Sequence, residues 1–314
     1  MNSPSPGPTA SVSVVIPCYN QARYLPEAIE SAIQQAADPP EVIVVDDGST
    51  EEVGGAAGSY HGVLLLRQPN LGVASARNAG LARSTRDHVV FLDADDRLVP
   101  GGLQIGIEVL ENHPGAACAA GLCRVIDACG SQQPVRQQPP VSEDPYTALL
   151  RGNFVWMPAQ AIFRRRALVS EGGFDPSVSP AADYDLYLRL ARRSLLIPHR
   201  HIVAEYRQHG QNMSLNALVM LKSTLAALER QWPYVRVRPE YRAAYAEGNR
   251  FWRHFYGDRV VQEIRVRLRS EGLAMGTLRP ALSLLRYDPR TVALHLLRKL
   301  RNTVAGRVAA GKPV

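Results

Sequence analysis

The sequence predicts an α/β fold, a mostly parallel central sheet flanked by helices and extended by a C-terminal helical region. Three observations predict it. Short β-branched runs alternate with helical periodicities through the first hundred residues. Those runs are apolar throughout, as strands covered on both faces are. Strand patterns then cease after Tyr206, and the remaining residues are helical in pattern and basic.

The elements come in order along the chain. Residues 12–16 form a β-branched run ending at Pro17, a buried strand. Leu25, Ala28, Ile29, Ala32, Ile33 and Ala36 recur at helical spacing. Residues 42–45 give a second strand, running into Asp46-Asp47-Gly48-Ser49, and residues 63–66 a third. Residues 72–83 are an Ala-rich helix. Residues 89–92 are a fourth strand, ending in Asp93-Ala94-Asp95-Asp96. A helix over 103–111 and a small-residue strand near 116–122 come next. The Gln/Pro-rich stretch 131–145 reads as a surface loop, 159–163 as a strand and 183–193 as a helix. The remainder is helical: 215–231, 240–269 with breaks, and 289–301.

The 314 residues carry 36 Lys plus Arg, 29 Asp plus Glu and four cysteines, with a net charge of +7. Length allows one large domain or two modest ones. Too few cysteines are present for a disulfide scaffold, and no C-x-x-C pair suggests zinc. The charge is uneven. From Lys222 onward 19 basic residues face 7 acidic ones, whereas the part before it holds 17 and 22, a surplus of five negative charges. Nucleic-acid binding, which a high isoelectric point alone would suggest, lacks a zinc finger, an RNP motif or interleaved aromatic and basic residues. Residues 1–11, rich in Ser and Pro, read as a disordered tail and not as a signal peptide. No apolar run approaches the roughly 18–20 residues of a membrane span, which leads to the expectation of a cytoplasmic protein, possible peripheral contact at the inner face of the membrane included.

Three strand ends carry polar residues that a core would not select: Pro17-Cys18-Tyr19-Asn20, Asp46-Asp47-Gly48-Ser49 and Asp93-Ala94-Asp95-Asp96. In a parallel sheet all three lie along one edge, where ligands bind. Carboxylates gathered that closely call for a cation, and oxygen ligands favour a hard one, Mg²⁺ or Mn²⁺. Neither G-x-G-x-x-G nor G-x-x-x-x-G-K-[ST] comes after the first strand, so a phosphorylated ligand would be held through a metal more than by a glycine loop.

Taken in chain order, the segments VSVVIPCYNQARYLPEAIESAIQQ, EVIVVDDGST, NLGVASARNAGL, VVFLDADDRLVPGGL, GGFDPSVSPAADYDLYLRLA and YRQHGQNMS resemble the family 2 glycosyltransferases of bacterial type, with their GT-A nucleotide-sugar-binding fold. The resemblance implies a domain over 12–214, with a nucleotide part to about 100 and an acceptor part from 101, ahead of a basic extension over 215–314. It implies transfer of a sugar, with inversion and a divalent cation, from a nucleoside-diphosphate sugar (a UDP-sugar being the common case) to a glycan or lipid-linked acceptor in surface polysaccharide or glycolipid synthesis.

Residue roles are implied by the same resemblance. Pro17, Tyr19 and Asn20 match the loop that cups the base, and Asp47 or Asp46 the acid that reads it. Arg77 and Asn78 match the polar start of the nucleotide-side helix. Asp93, Ala94 and Asp95 form the D-x-D element, with Asp95 the direct metal ligand and Asp93 near ribose or sugar. His209 matches a residue that approaches metal or diphosphate, and Trp156 and Met157 lie where the family meets its acceptor. Asp183 matches the catalytic base, although the acid that commonly precedes it is Ala182 here. That departure leaves an inactive nucleotide-sugar-binding or scaffold protein of the same fold as the alternative. Within 278–304 the apolar Leu282, Leu285, Val292, Leu296, Leu297, Leu300 and Val304 are accompanied by arginines, a pattern for an interfacial helix on anionic lipid or for a packed helix with a basic face.

Overall fold

The computed structural model describes residues 12–35, 39–134, 141, 144–210, 212–270, 275–289, 293 and 295. The N-terminal tail, much of the Gln/Pro-rich loop, and nearly all of the amphipathic stretch beyond 289 lie outside the described residues. The chain divides into two compact units at Asn212/Met213.

In the first unit, β1 (Val12–Cys18), β2 (Glu41–Asp46), β3 (Val63–Arg67) and β4 (His88–Phe91) alternate with α1 (Leu25–Ile33), α2 (Val53–Gly58) and α3 (Val73–Arg83). They pair in parallel in the order β3-β2-β1-β4. β1 is buried at every position. Val14 and Ile16 pack with Leu25, Ala28 and Ile29 of α1 in one core. Val15 faces α3, where a Cβ on Gly80 would come within 2.2 Å of its Cγ1; only glycine lets helix and strand approach this closely.

The second half of the sheet differs from the first. After β5 (Arg97–Leu98) and α4 (Gly102–Glu111), β6 (Ala116–Ile126) leads through α5 (Pro145–Arg151) to β7 (Ala161–Arg164), α6 (Arg165–Ser170), α7 (Ala182–Arg193) and β8 (Leu195–Arg207). The eight strands run β3-β2-β1-β4-β7-β6-β8-β5. β7 is antiparallel to both β4 and β6, and β5 is antiparallel to β8, whereas β6 and β8 are parallel with register shifts. The sheet is therefore mixed, parallel through the half formed by β1 to β4. β8 has no counterpart among the predicted strands: Pro198, His199, Arg200 and His201 interrupt its apolar pattern, yet it carries the chain back to the edge where the first three strands end.

Pro17 lies inside β1 and does not end it. The Val15 carbonyl accepts from Leu92 on the β4 side, so Pro17, two residues on, faces the same side. The β1–β4 ladder has stopped at Val15, and the missing amide costs no sheet bond.

The second unit contains α8 (Ala217–Glu229), α9 (Trp232–Val235), α10 (Pro239–Ser270) and α11 (Met275–Tyr287). The predicted breaks over 240–269 are absent: α10 is one continuous helix of 32 residues. Its Trp252 and Tyr256 rings stack at 5.5 Å, and the Glu263 carboxylate accepts the Ala217 amide at the start of α8. Among the described residues no helix is long and apolar enough to cross a membrane.

Candidate active site

β1, β2 and β4 end side by side, and three loops meet at their carboxyl ends. Asn20, at φ 53°, turns the first loop; its Oδ1 accepts from the amide and hydroxyl of Thr50, and its amide donates to Ser49 Oγ. A left-handed backbone is tolerable for asparagine and rare for other side chains. Tyr19 beside it is half-exposed.

Asp46 and Asp47 are both buried. Asp46 Oδ1 accepts the Ser49 amide at 2.8 Å, and its Oδ2 lies 3.4 Å from Arg67 Nε. Asp47 accepts from Gln68 Nε2 and from the amides of Leu71 and Gly72. Asp46 thus braces the turn that follows β2, and Asp47 the segment that leads into α3.

The third strand end is differently built. Asp95 Oδ2 accepts from Gln21 Nε2 at 3.0 Å and meets His209 Nε2 at 2.8 Å. The His209 ring stacks on Tyr24 at 5.1 Å. Asp96 accepts the Arg207 amide, and the Arg207 guanidinium donates to the Asp95 carbonyl, the Ala128 carbonyl and Glu27. Burial and the neighbouring Asp93 carboxylate push the Asp95 carboxyl above its ordinary range, against the His209 hydrogen bond that favours the anion. β8 delivers Arg207 and His209 to this point. Gln21 and Arg207 were not singled out in the sequence, although they lie in the segments YNQ and YRQH beside Asn20 and His209.

Asp93 turns the other way. Arg77 Nη2 donates to its Oδ1 at 2.6 Å from a buried side chain whose guanidinium lies over the Phe174 ring. Asn78 clamps the backbone of Phe174, donating to its carbonyl at 2.7 Å and accepting its amide at 2.8 Å. Gly173, at φ 71°, has no room for a Cβ, which would fall 2.4 Å from Asn78 Oδ1. Arg77 and Asn78 lie in the middle of α3 and not at its start, and Asn78 bonds protein backbone.

That clamp sets the entry to α7. Asp183 stands in the first turn, and its Oδ1 accepts the Tyr184 amide at 2.8 Å. A carboxylate here gains from the helix dipole. Burial nonetheless raises the Asp183 carboxyl, with the Arg77 cation as the main opposing influence and Asp93 adding repulsion. Ala182 is fully buried, so an acid in its place would sit in the core. Asp185 faces away and pairs with Arg189, which also holds the Glu171 and Gly173 carbonyls.

Trp156 and Met157 separate. Trp156 is 36% exposed and Met157 1%, packed in the core of the sheet, because successive extended residues point to opposite sides. Met157 therefore does not offer a surface to an acceptor. Ala94, between the two D-x-D acids, is likewise buried.

Residues 13–171, half the chain, match the model of Glycosyl transferase family 2. The chain belongs to this family. It is 30% identical over 220 residues to a chondroitin synthase of Escherichia coli, covering 67% of this chain and 31% of that protein. It is 28% identical over 217 residues to a hyaluronan synthase of Pasteurella multocida, covering 67% and 22%. The chain thus spans less than a third of the length of these relatives. Among solved structures, a mannosyltransferase of Pyrobaculum calidifontis, determined with GDP-Man and Mn²⁺, matches 98% of this chain and 90% of its own at 19% identity and a TM-score of 0.61. S. aureus TarS residues 1–349 with UDP matches 92% and 91% at 18% identity and a TM-score of 0.53. The shared fold is GT-A.

Asp95 and His209 suit a divalent cation as far as they go. One carboxylate oxygen and one imidazole nitrogen 2.8 Å apart form a mixed O/N donor pair of the kind Mn²⁺ accepts. Among the described residues no cluster of three or more ligating side chains exists, so other ligands would have to come from diphosphate or water.

Proposed function

We propose that this glycosyltransferase moves a sugar from a nucleoside-diphosphate sugar, with uridine as the base, to an acceptor hydroxyl with inversion, in the synthesis of a polysaccharide or glycolipid. The observation that carries the reading is the placement of two unlike carboxylates around one sheet edge. Asp95 is coupled to an imidazole, and Asp183, at a helix start, faces the Arg77–Asp93 pair.

Asp183 accepts the proton of the acceptor hydroxyl as that oxygen attacks the anomeric carbon. Its raised proton affinity suits that role, since a base working near neutrality gains from a pKa above the ordinary carboxylate range. Arg77 holds Asp93 in place and keeps positive charge near Asp183. Pro17, Tyr19, Asn20 and Asp46 or Asp47 frame the base-side loops, and Trp156 offers an exposed ring to the acceptor. Asp95 and His209 would hold a divalent cation, which when bound would supply positive charge against the diphosphate. Only one carboxylate acts as base, unlike the acid–nucleophile pair of a retaining hydrolase.

Calorimetry tests the reading. Nucleoside diphosphate should bind with Mn²⁺ present, and weaken at least about tenfold with EDTA, Asp95→Ala or His209→Ala, a loss of about 1.4 kcal/mol. Unchanged affinity in all three would refute the metal role. The inactive-scaffold alternative predicts binding without turnover or donor hydrolysis.

For the second unit we propose peripheral contact with anionic lipid on the cytoplasmic side. Within the described part of the amphipathic stretch, Leu282 and Leu285 are exposed beside Arg286, which supports that reading. Flotation with anionic vesicles that is unaltered by Arg286→Glu with Leu285→Glu would refute it.

A further inference from the structure

The residue preceding Asp183 is a buried alanine, so whatever orients this carboxylate comes from elsewhere. One turn on in α7, at i+4 on the same face, stands Tyr187, which interacts electrostatically with Asp183. A helical side chain leans back over the turn N-terminal to its own Cα, which aims the Tyr187 ring at Asp183. The ring is fully buried and stacks on Phe163 with centroids 6.2 Å apart and planes 9° from parallel. Its hydroxyl has no hydrogen-bond partner among the described residues, and neither does Arg77 Nε. Buried donors without partners are rare and call for an explanation.

The groups that act on Asp183 come from three elements. Tyr187 comes from α7, Arg77 from α3, and Asp93 from the end of β4; Cys118 of β6 acts on Tyr187. Asp185 is turned away to Arg189. Of these, Tyr187 is the neutral donor on the helix that carries Asp183.

We propose that Tyr187 is a positioning residue for Asp183: its hydroxyl donates to the Asp183 carboxylate when the acceptor is bound, fixing the oxygen that takes the proton. Bonds of this kind are often long in the free enzyme and close in the complex. The proton affinities agree with the placement. Burial, and next the Asp183 carboxylate, push the Tyr187 phenol well above its ordinary value, which keeps it protonated and a donor. A hydrogen bond to the charged form of Asp183 favours that form, so Tyr187 and Arg77 together restrain the rise that burial imposes.

The inference rests on Asp183 being the base, and the test separates the two. Tyr187→Phe keeps the ring and its packing and removes only an unpartnered oxygen, so melting temperature and nucleoside-diphosphate affinity should stay at wild-type values. Transfer should fall about two- to tenfold on the plateau, in kcat and not in the donor KM. The acid limb of the pH–rate profile should move to higher pH by about one unit, as expected when a carboxylate loses a donor. Asp183→Asn runs beside it. An acid limb unmoved, or moved to lower pH, in Tyr187→Phe while Asp183→Asn is inactive would overturn the role of Tyr187 alone. An active Asp183→Asn would overturn the base assignment and this inference with it.

Discussion

Arg207, 1% exposed at the end of β8, donates from its Nε to the backbone carbonyl of Asp95 at 2.7 Å. The same guanidinium reaches Glu27 at 2.6 Å, the Ala128 carbonyl at 3.1 Å and the face of Tyr24 at 4.9 Å. Strand β8 thereby holds the loop beyond β4, and the position of Asp95 is set from a point 112 residues away.

Arg207→Ala takes a donor from the Asp95 and Ala128 carbonyls and one of two arginines from Glu27, which keeps Arg97 at 3.2 Å. Stability should fall by about 2–4 kcal/mol, read as a lower urea midpoint with an unchanged slope. Arg207→Lys should recover part of the loss. Equal stability of the alanine variant would show that the network is dispensable.

Asn78 joins the middle of α3 to the loop that leads into α7. Asn78→Ala removes both bonds to Phe174 and should cost about 1–3 kcal/mol. It should also slow transfer about tenfold by loosening the entry to Asp183, with little change in nucleoside-diphosphate binding. A loss of nucleotide affinity without loss of stability would contradict the clamp and return Asn78 to the ligand.

His199 supplies a pH signature. Burial, with some repulsion from His201, lowers its pKa to about 4. The unfolded chain takes up a proton near 6.5 that the folded protein refuses, so stability is lost as pH falls from about 6.5 to about 4. Solvent screening at this partly exposed ring reduces the full effect to about 2 kcal/mol. His199→Gln should be less sensitive than wild type across that window and indistinguishable in slope above it. Parallel stability curves of the two proteins would contradict the burial of the neutral ring.

The half of the fold that reads from sequence is the half that is covered on both faces. β1, β2 and β4 are apolar but for Ser13 and the end residues Glu41, Asp46 and His88, because helices lie on either side, and the three acidic or polar endings locate their carboxyl edge. β8 escaped because only four of its 13 residues are buried and a proline and two histidines break its period. The bonds that Asp46, Asp47 and Asn78 make were not legible for a related reason: a polar side chain can serve a ligand, a loop or both, and its partners Ser49, Leu71, Gly72 and Phe174 are brought to it only by the fold. Met157 shows the converse: adjacent to Trp156 in sequence, it is on the other side of an extended segment and in the core.

The most direct measurement is the rate of sugar transfer by Asp183→Asn set against its affinity for nucleoside diphosphate. The account predicts transfer reduced by at least about 10³-fold with nucleotide affinity within twofold of wild type. Transfer within about tenfold of wild type would contradict it, since a neutral amide cannot accept the proton of the attacking hydroxyl.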